Sequence, residues 1–179
     1  SMQLLRAVRG MRDDKRVIGD DYEMHTPPDM FIGAAANPFA DPFNYRALRL
    51  QKKVDSGAQF IQTQCIFNIE KFQKWMAAVR KLDLHDEVYI LAGVTPMKSA
   101  GMAKYMREKV AGMDVPDDLI ERMEQYKGED ARREGLDICV ETIQRLRKMK
   151  GVAGVHIMAI EWEEAVPEIV ERAGLLPRP

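Results

Sequence analysis

The sequence predicts an α/β fold built as half of a (βα)8 TIM barrel. Four apolar, strand-like segments lie along it: Phe31–Ala36, Phe60–Phe67, Val88–Val94 and Val155–Glu161. Helical patterns precede the first, separate each pair and follow the last, which is the rhythm of parallel strands covered by helices. The segments are too continuously apolar for one-sided antiparallel strands, as expected when both faces are covered. A closed barrel of this kind takes eight strands and about 250 residues. Here four strands occupy 179 residues, and the chain opens on a helical pattern with no strand ahead of it. The expected organisation is therefore one domain over residues 1–179, a partial barrel with strand order 1-2-3-4 and right-handed crossovers. Ser1 before Met2 reads as a tag remnant.

Each element has its own signal. Leu4, Val8 and Met11 fall on one face of a short helix. Asp13–Met30, with Gly19, Asp20, Asp21 and Pro27-Pro28, reads as a loop. Asn37-Pro38 ends the first strand, and Ala47, Leu50 and Val54 mark the next helix, with Gly57 at its C-terminal cap. After the second strand, Asn68 is placed to cap a helix carrying Ile69, Phe72, Met76 and Val79 on one face. Thr95-Pro96 closes the third strand, and Met102, Tyr105 and Met106 suggest a short helix. Pro116 and the acids Asp117 and Asp118 open another, where the helix dipole favours negative charge. Cys139, Ile143 and Leu146 belong to a longer helix ending before Gly151. Ala165, Val166, Ile169 and Val170 form the inward face of the last.

Composition narrows the function classes. Twenty-seven basic and 28 acidic residues leave a net charge of −1, which gives no global electrostatic case for nucleic acid or an anionic membrane. No apolar run approaches the roughly 20 residues that span a bilayer, and with the polar start Ser1-Met2-Gln3 no signal peptide is expected. Two cysteines, Cys65 and Cys139, imply no disulfide framework; both are expected buried and inert in a reducing cytoplasm.

In βα barrels, chemistry sits at the C-terminal ends of the strands. Those ends here hold Asn37, the run Gln62-Thr63-Gln64-Cys65, Thr95 and Glu161. Gln62 and Gln64 share a face with Phe60 by strand alternation, and a polar group inside an apolar strand needs a partner. A structural amide bonded to nearby backbone competes with a ligand contact for Gln64. Asn37-Pro38-Phe39-Ala40-Asp41-Pro42 is either an Asx-type turn or a pocket wall. Lys53 is either surface charge or site. Lys98 and Ser99 offer a weak anion site at a helix start without the glycine pattern of a phosphate loop. His25, His85 and His156 show no metal spacing, and neither do the cysteines. His156, on a strand beside Val155 and Ile157, reads as a core histidine. No catalytic triad or dyad is recognisable.

Four segments carry a resemblance: Ala34-Ala-Ala-Asn-Pro-Phe-Ala-Asp-Pro42, Leu50-Gln-Lys-Lys-Val-Asp-Ser-Gly-Ala-Gln-Phe-Ile-Gln-Thr-Gln64, Ala92-Gly-Val-Thr-Pro96 and Gly151-Val-Ala-Gly-Val-His156. In this order they resemble the C-terminal half of the catalytic barrel of methylenetetrahydrofolate reductases. Gln3-Leu-Leu-Arg-Ala-Val-Arg9 is similar to the helix after that family's fourth strand. The resemblance implies strands five to eight of the barrel and reduction of 5,10-methylenetetrahydrofolate to 5-methyltetrahydrofolate. It implies FAD or another flavin as hydride carrier, and NAD(P)H or another electron donor. By the same resemblance, Gln64 binds the folate, and Asn37, Asp41 and Lys53 stand where the flavin is contacted; Thr95, a polar end to an apolar strand, is expected to join Gln64 in binding the substrate. Ala100 and Glu161-Trp162 depart from residues that some members carry at those positions. The acid that assists opening of the methylene bridge and the aspartate that tunes the flavin belong to earlier strands, so no catalytic residue is expected in this chain, and alone it should bind flavin weakly or not at all. A non-catalytic half-barrel that folds and associates without cofactor is the alternative, and a different barrel enzyme with a phosphate site near Lys98 and Ser99 is a third. A half-barrel has two free sheet edges and an uncovered inner face, so two copies are expected to pair face to face, as a homo-oligomer or associated half-barrel.

Overall fold

Alternation along Phe60-Ile-Gln-Thr-Gln-Cys65 sets the two faces of the sheet. Ile61, Thr63 and Cys65 are buried, whereas Phe60, Gln62 and Gln64 are only partly covered. In the computed structural model, which describes residues 1–19 and 22–177, this is the second strand of a four-stranded sheet. The strands are β1 (Gly33–Ala36), β2 (Phe60–Cys65), β3 (Tyr89–Val94) and β4 (Val152–Ile157), ordered β1-β2-β3-β4 with every pair parallel. The expected order and direction therefore hold.

Besides two single-turn 3-10 helices, eight α-helices accompany the strands among the described residues. They are α1 (Met2–Asp13), α2 (Arg46–Asp55), α3 (Ile69–Lys81), α4 (Leu84–Glu87), α5 (Ala100–Lys109), α6 (Asp117–Glu124), α7 (Gly128–Leu146) and α8 (Val166–Arg172). One face of the sheet packs on helices. Ile61, Ile90, Ala92 and Val94 form a single core with Leu50, Phe72, Met76, Val79, Ile143, Leu146 and Ile169. A second cluster, with Met97, Met106, Ile120 and Met123, lies under the α5–α6 segment. Asn68 caps α3 as its position predicts, its side-chain oxygen accepting from the Lys71 N–H at 2.9 Å. Cys65 and Cys139 are buried free thiols, and burial pushes each pKa up to about 12.

The opposite face carries Phe60, paired with Tyr89, and the row Gln62, Leu91 and Gly154; Gln64 falls within the β2–β3 register shift, and Gly93 pairs with His156. At its N-terminal end Phe31, Phe60 and Tyr89 cluster, with Phe31 and Phe60 stacked at 5.5 Å. Phe31 is 57% and Tyr89 62% exposed, so no helix covers this end. A Cβ on Gly33 would sit 2.2 Å from the Phe60 ring, so glycine there is what lets the ring lie across the strand.

Strand boundaries differ from the sequence reading, by a single residue in the third strand, which starts at Tyr89. The first strand begins at Gly33, although the Ile32 carbonyl already accepts from Gln59 N–H at 2.7 Å. The second stops at Cys65. The fourth runs over Val152–Ile157 instead of Val155–Glu161. Gly151, at φ 93, turns the chain straight into the strand, and the small pair Ala153-Gly154 hides its start from an apolar count. Glu161 consequently lies past the strand, exposed and at φ 52, and is not a strand-end residue. Asp13–Met30 is largely loop, with one antiparallel bridge between Arg16 and Glu23; Asp20 and Asp21 lie outside the described residues. Among the described residues no helix is long and apolar enough to cross a membrane.

Candidate functional site

The C-terminal ends of β1, β2 and β4 bound a cavity of about 420 Å³. That size lies within the usual range of small-molecule sites, about 300–1,000 Å³. Its floor is the sheet, with Ala35, Gln62, Gln64 and His156, and one wall is the α2 stripe Arg46, Arg49, Leu50 and Lys53. Positions 46, 49, 50 and 53 recur at helical spacing, which puts them on one side of α2.

Of the five residues expected at a site, three meet here: Asn37, Lys53 and Gln64. Lys53 is half-buried, and its ammonium donates to the Ala35 carbonyl on the outer edge of β1. Burial first, then the charges of Arg49 and Arg46, hold its pKa below the ordinary lysine value. No carboxylate lines the cavity among the described residues, so three cations face it unopposed. Such a wall attracts an anion.

Gln64 is partly engaged. Its NH2 donates to the Ala111 carbonyl at 3.1 Å, and its side-chain oxygen accepts from the Cys65 N–H at 3.3 Å. A primary amide has two donors and two acceptor sites, so one of each remains. Beside it Thr63 reshapes the strand. Its hydroxyl accepts from Gly93 N–H and donates to the Gln64 carbonyl, both at 2.9 Å, where the β2–β3 register shifts between Gln62 and Cys65. Asn37 forms the Asx-type turn and also lines the cavity. Its side-chain oxygen accepts from Phe39 N–H at 3.0 Å and Ala40 N–H at 3.2 Å. Its amide nitrogen lies against Gly112, where an added Cβ would be 1.8 Å away.

Asp41 and Thr95 do not line the cavity. Asp41 is exposed, and its backbone carbonyl accepts from the guanidinium of the lining residue Arg46 at 2.7 Å. Thr95 is buried and donates to the carbonyl of Met158, itself a lining residue. The Lys98 and Ser99 groups are used within the chain. Lys98 donates to the Glu161 carbonyl at 2.8 Å, and Ser99 caps α5 by accepting from Met102 N–H at 3.2 Å.

His156 corrects the sequence reading. It pairs with Gly93 and faces the cavity, and its Nδ1 is buried without a hydrogen-bond partner. An unpaired buried ring nitrogen costs about 1–3 kcal/mol, which a ligand group can recover. Alternation from Val155 and Ile157, which pack on the core, would have placed it on the open face. Arg46 and Arg49 were also missed; their helical spacing with Lys53 was the available signal.

Residues 25–174 match the sequence model of the family described as methylenetetrahydrofolate reductase. The chain is 29% identical over 158 residues to methylenetetrahydrofolate reductase 1 of Schizosaccharomyces pombe, covering 85% of this chain and 26% of that protein. It is 27% identical over 150 residues to a probable methylenetetrahydrofolate reductase (NADPH) of Caenorhabditis elegans, covering 80% and 22%. It is 30% identical over 131 residues to methylenetetrahydrofolate reductase 2 of Saccharomyces cerevisiae, covering 72% and 21%. The chain thus spans about a quarter of the length of these relatives. Its fold is similar to that of an uncharacterized protein from Clostridium thermocellum that binds two copies of 5-methyl-5,6,7,8-tetrahydrofolic acid. The TM-score is 0.57 at 16% identity, over 97% of this chain and 68% of that one.

Proposed function

The chain belongs to the methylenetetrahydrofolate reductase family, and from that premise we propose that it forms strands five to eight of a (βα)8 barrel reducing 5,10-methylenetetrahydrofolate to 5-methyltetrahydrofolate. The carrier is FAD or another flavin, and NAD(P)H or another donor supplies the electrons. One observation carries the reading: Lys53 and Gln64, which the resemblance pairs with flavin and folate, line the same cavity at the strand ends.

The residues present fit both groups. Arg46, Arg49 and Lys53, unopposed by acid, suit a phosphate or a carboxylate tail. The free half of the Gln64 amide and the unpartnered Nδ1 of His156 suit the polar edge of a heterocycle. A bound flavin supplies the two-electron chemistry. This chain's residues bind and orient. Gln64 holds the pterin edge, His156 presents a hydrogen-bonding nitrogen beside it, and Lys53 with the two arginines fixes the charged end. Asn37 keeps its loop folded against Gly112 at the cavity rim. No residue here is assigned a proton transfer, because the resemblance places those groups on earlier strands. Turnover then requires four more βα units, in the same polypeptide or on a partner. A reducing cytoplasm is the proposed setting, supported by the two buried free thiols.

The test is oxidation of 5-methyltetrahydrofolate coupled to an artificial electron acceptor. Activity is expected when the eight-strand barrel is present and flavin-loaded, and no turnover is expected from these 179 residues alone. A flavin-loaded eight-strand protein without activity overturns the reading. The exposed aromatic cluster of Phe31, Phe60 and Tyr89 favours a second reading, a non-catalytic half-barrel that associates without cofactor. Flavin absorbance in the purified eight-strand protein separates the two.

A further inference from the structure

His85 lies at the far end of the sheet from the cavity, on the four-residue α4 that leads into β3. Its side chain is only 7% exposed, yet neither Nδ1 nor Nε2 has a hydrogen-bond partner. Nε2 sits 3.6 Å from an Asp86 carboxylate oxygen, beyond hydrogen-bond reach. Asp83, in the left-handed region at φ 55, completes a group of three: one ligand atom each from Asp83, His85 and Asp86 lies within 4.8 Å of the others. The ring is held in place from behind. A Cβ on Gly151 would meet the His85 Cβ at 2.8 Å and the Met76 methyl at 3.0 Å. A buried imidazole with two idle nitrogens is costly, and here one of those nitrogens faces two carboxylates.

We propose that Asp83, His85 and Asp86 bind a divalent transition-metal ion, with zinc the best match, at the turn between α3 and β3. Spacing alone does not flag the site, because the fold brings the buried nitrogen and the carboxylates together. Zinc–nitrogen and zinc–oxygen bonds of about 2.0–2.1 Å put tetrahedral ligand atoms roughly 3.3 Å apart, and the His85–Asp86 separation of 3.6 Å is close to that edge. The imidazole donor selects against magnesium and calcium, which take oxygen ligands. One neutral imidazole and two carboxylates balance the dication, and water fills the open position. The site is remote from the cavity, so its role is to fasten the α3–β3 turn.

The experiment is zinc titration of the metal-stripped protein by calorimetry, with thermal unfolding in parallel. The variants are Asp83→Asn and Asp86→Asn, alone and combined. Both side chains are exposed, and asparagine tolerates the left-handed conformation at position 83. Expected are one zinc per chain, a rise in melting temperature with zinc and none with magnesium, and loss of affinity in the double variant by at least about tenfold. Cobalt substitution should give a tetrahedral visible spectrum that the double variant lacks. Absence of stoichiometric zinc binding overturns the proposal, and so does binding that the double variant leaves unchanged, which would place the ion on another histidine.

Discussion

Gln64 is tied at both ends of its amide and still has a donor and an acceptor left for a ligand. The Ala111 contact pins the side chain before any ligand arrives, so little rotamer freedom is lost on binding. Replacing Gln64 by Ala in the eight-strand enzyme should raise KM for the folate about tenfold, the equivalent of one buried hydrogen bond. Unchanged folate kinetics would remove Gln64 from the site. Lys53 adds a pH dependence. Its pKa lies below 10.5 because burial and two arginines disfavour the ammonium. The charged form is therefore lost as pH rises through a window beneath the ordinary lysine range, while both arginines stay charged. Binding of inorganic phosphate at the cavity should weaken across that window, and a Lys53→Met variant should bind weakly with no such step. Isothermal titration at a series of pH values above neutrality reads both. An anion affinity that is flat in the wild type rules out Lys53 as a contact.

At the scale of elements, the long helix α7 depends on its glycine. A Cβ on Gly135 would stand 1.6 Å from the Met97 carbonyl oxygen, a backbone atom that cannot swing aside. This close approach seats α7 against the chain leaving β3, below the α5–α6 cluster. Gly135→Ala ought to gain helix propensity in isolation. In the protein it should instead cost about 3 kcal/mol, the upper end of the range for overpacking. Urea unfolding checks this, and a variant as stable as the wild type would mean that α7 sits farther from Met97. Asn68 links two elements: it caps α3 and donates to Asp114 at 3.2 Å, while Lys71 pairs with the same carboxylate at 2.7 Å. The start of α3 is thereby joined to the segment ahead of α6, which also supplies Ala111 and Gly112 to the cavity rim.

For the whole molecule, the decisive feature is the uneven cover of the sheet. Helices bury the central part of one face, around Ile61, Ile90, Ala92 and Val94, while the other presents Phe31 and Tyr89 largely to water. β1 and β4 each have a single strand neighbour. Free parallel edges recruit strands, and contiguous apolar patches of a few hundred Å² or more rarely stay open in a monomer. Light scattering at micromolar concentration should find dimers or larger species. The double variant Phe31→Asp, Tyr89→Asp should shift the population toward monomer, while far-UV circular dichroism stays unchanged. A wild-type monomer under these conditions would show that the aromatic face tolerates water.

Much of this architecture was legible in the amino-acid order, because periodicity is a local property. The βα alternation, the parallel order, the core faces of α2 and α3, the Asn68 cap and the burial of both cysteines follow from residues a few positions apart. So did the presence of Asn37, Lys53 and Gln64 at strand ends or on the following helix, with family resemblance supplying their roles. What needed the tertiary structure is what depends on register and close approach between distant segments. Val152 is a strand residue because it pairs with Ile90, although its neighbours Ala153 and Gly154 carry no apolar signal. His156 lines the cavity because β4 meets β3 with His156 opposite Gly93. Asp41 and Thr95 look equivalent to Asn37 and Gln64 in the sequence, but Asp41 lies exposed outside the cavity lining and the Thr95 hydroxyl is engaged by the Met158 carbonyl. The cationic wall exists only where α2 leans over the β1 edge, and His85 shows its idle nitrogens only once Gly151 and Met76 have closed around it. Local pattern decides which face of an element is buried; only packing decides which polar atoms on that face find partners and which are left for a ligand.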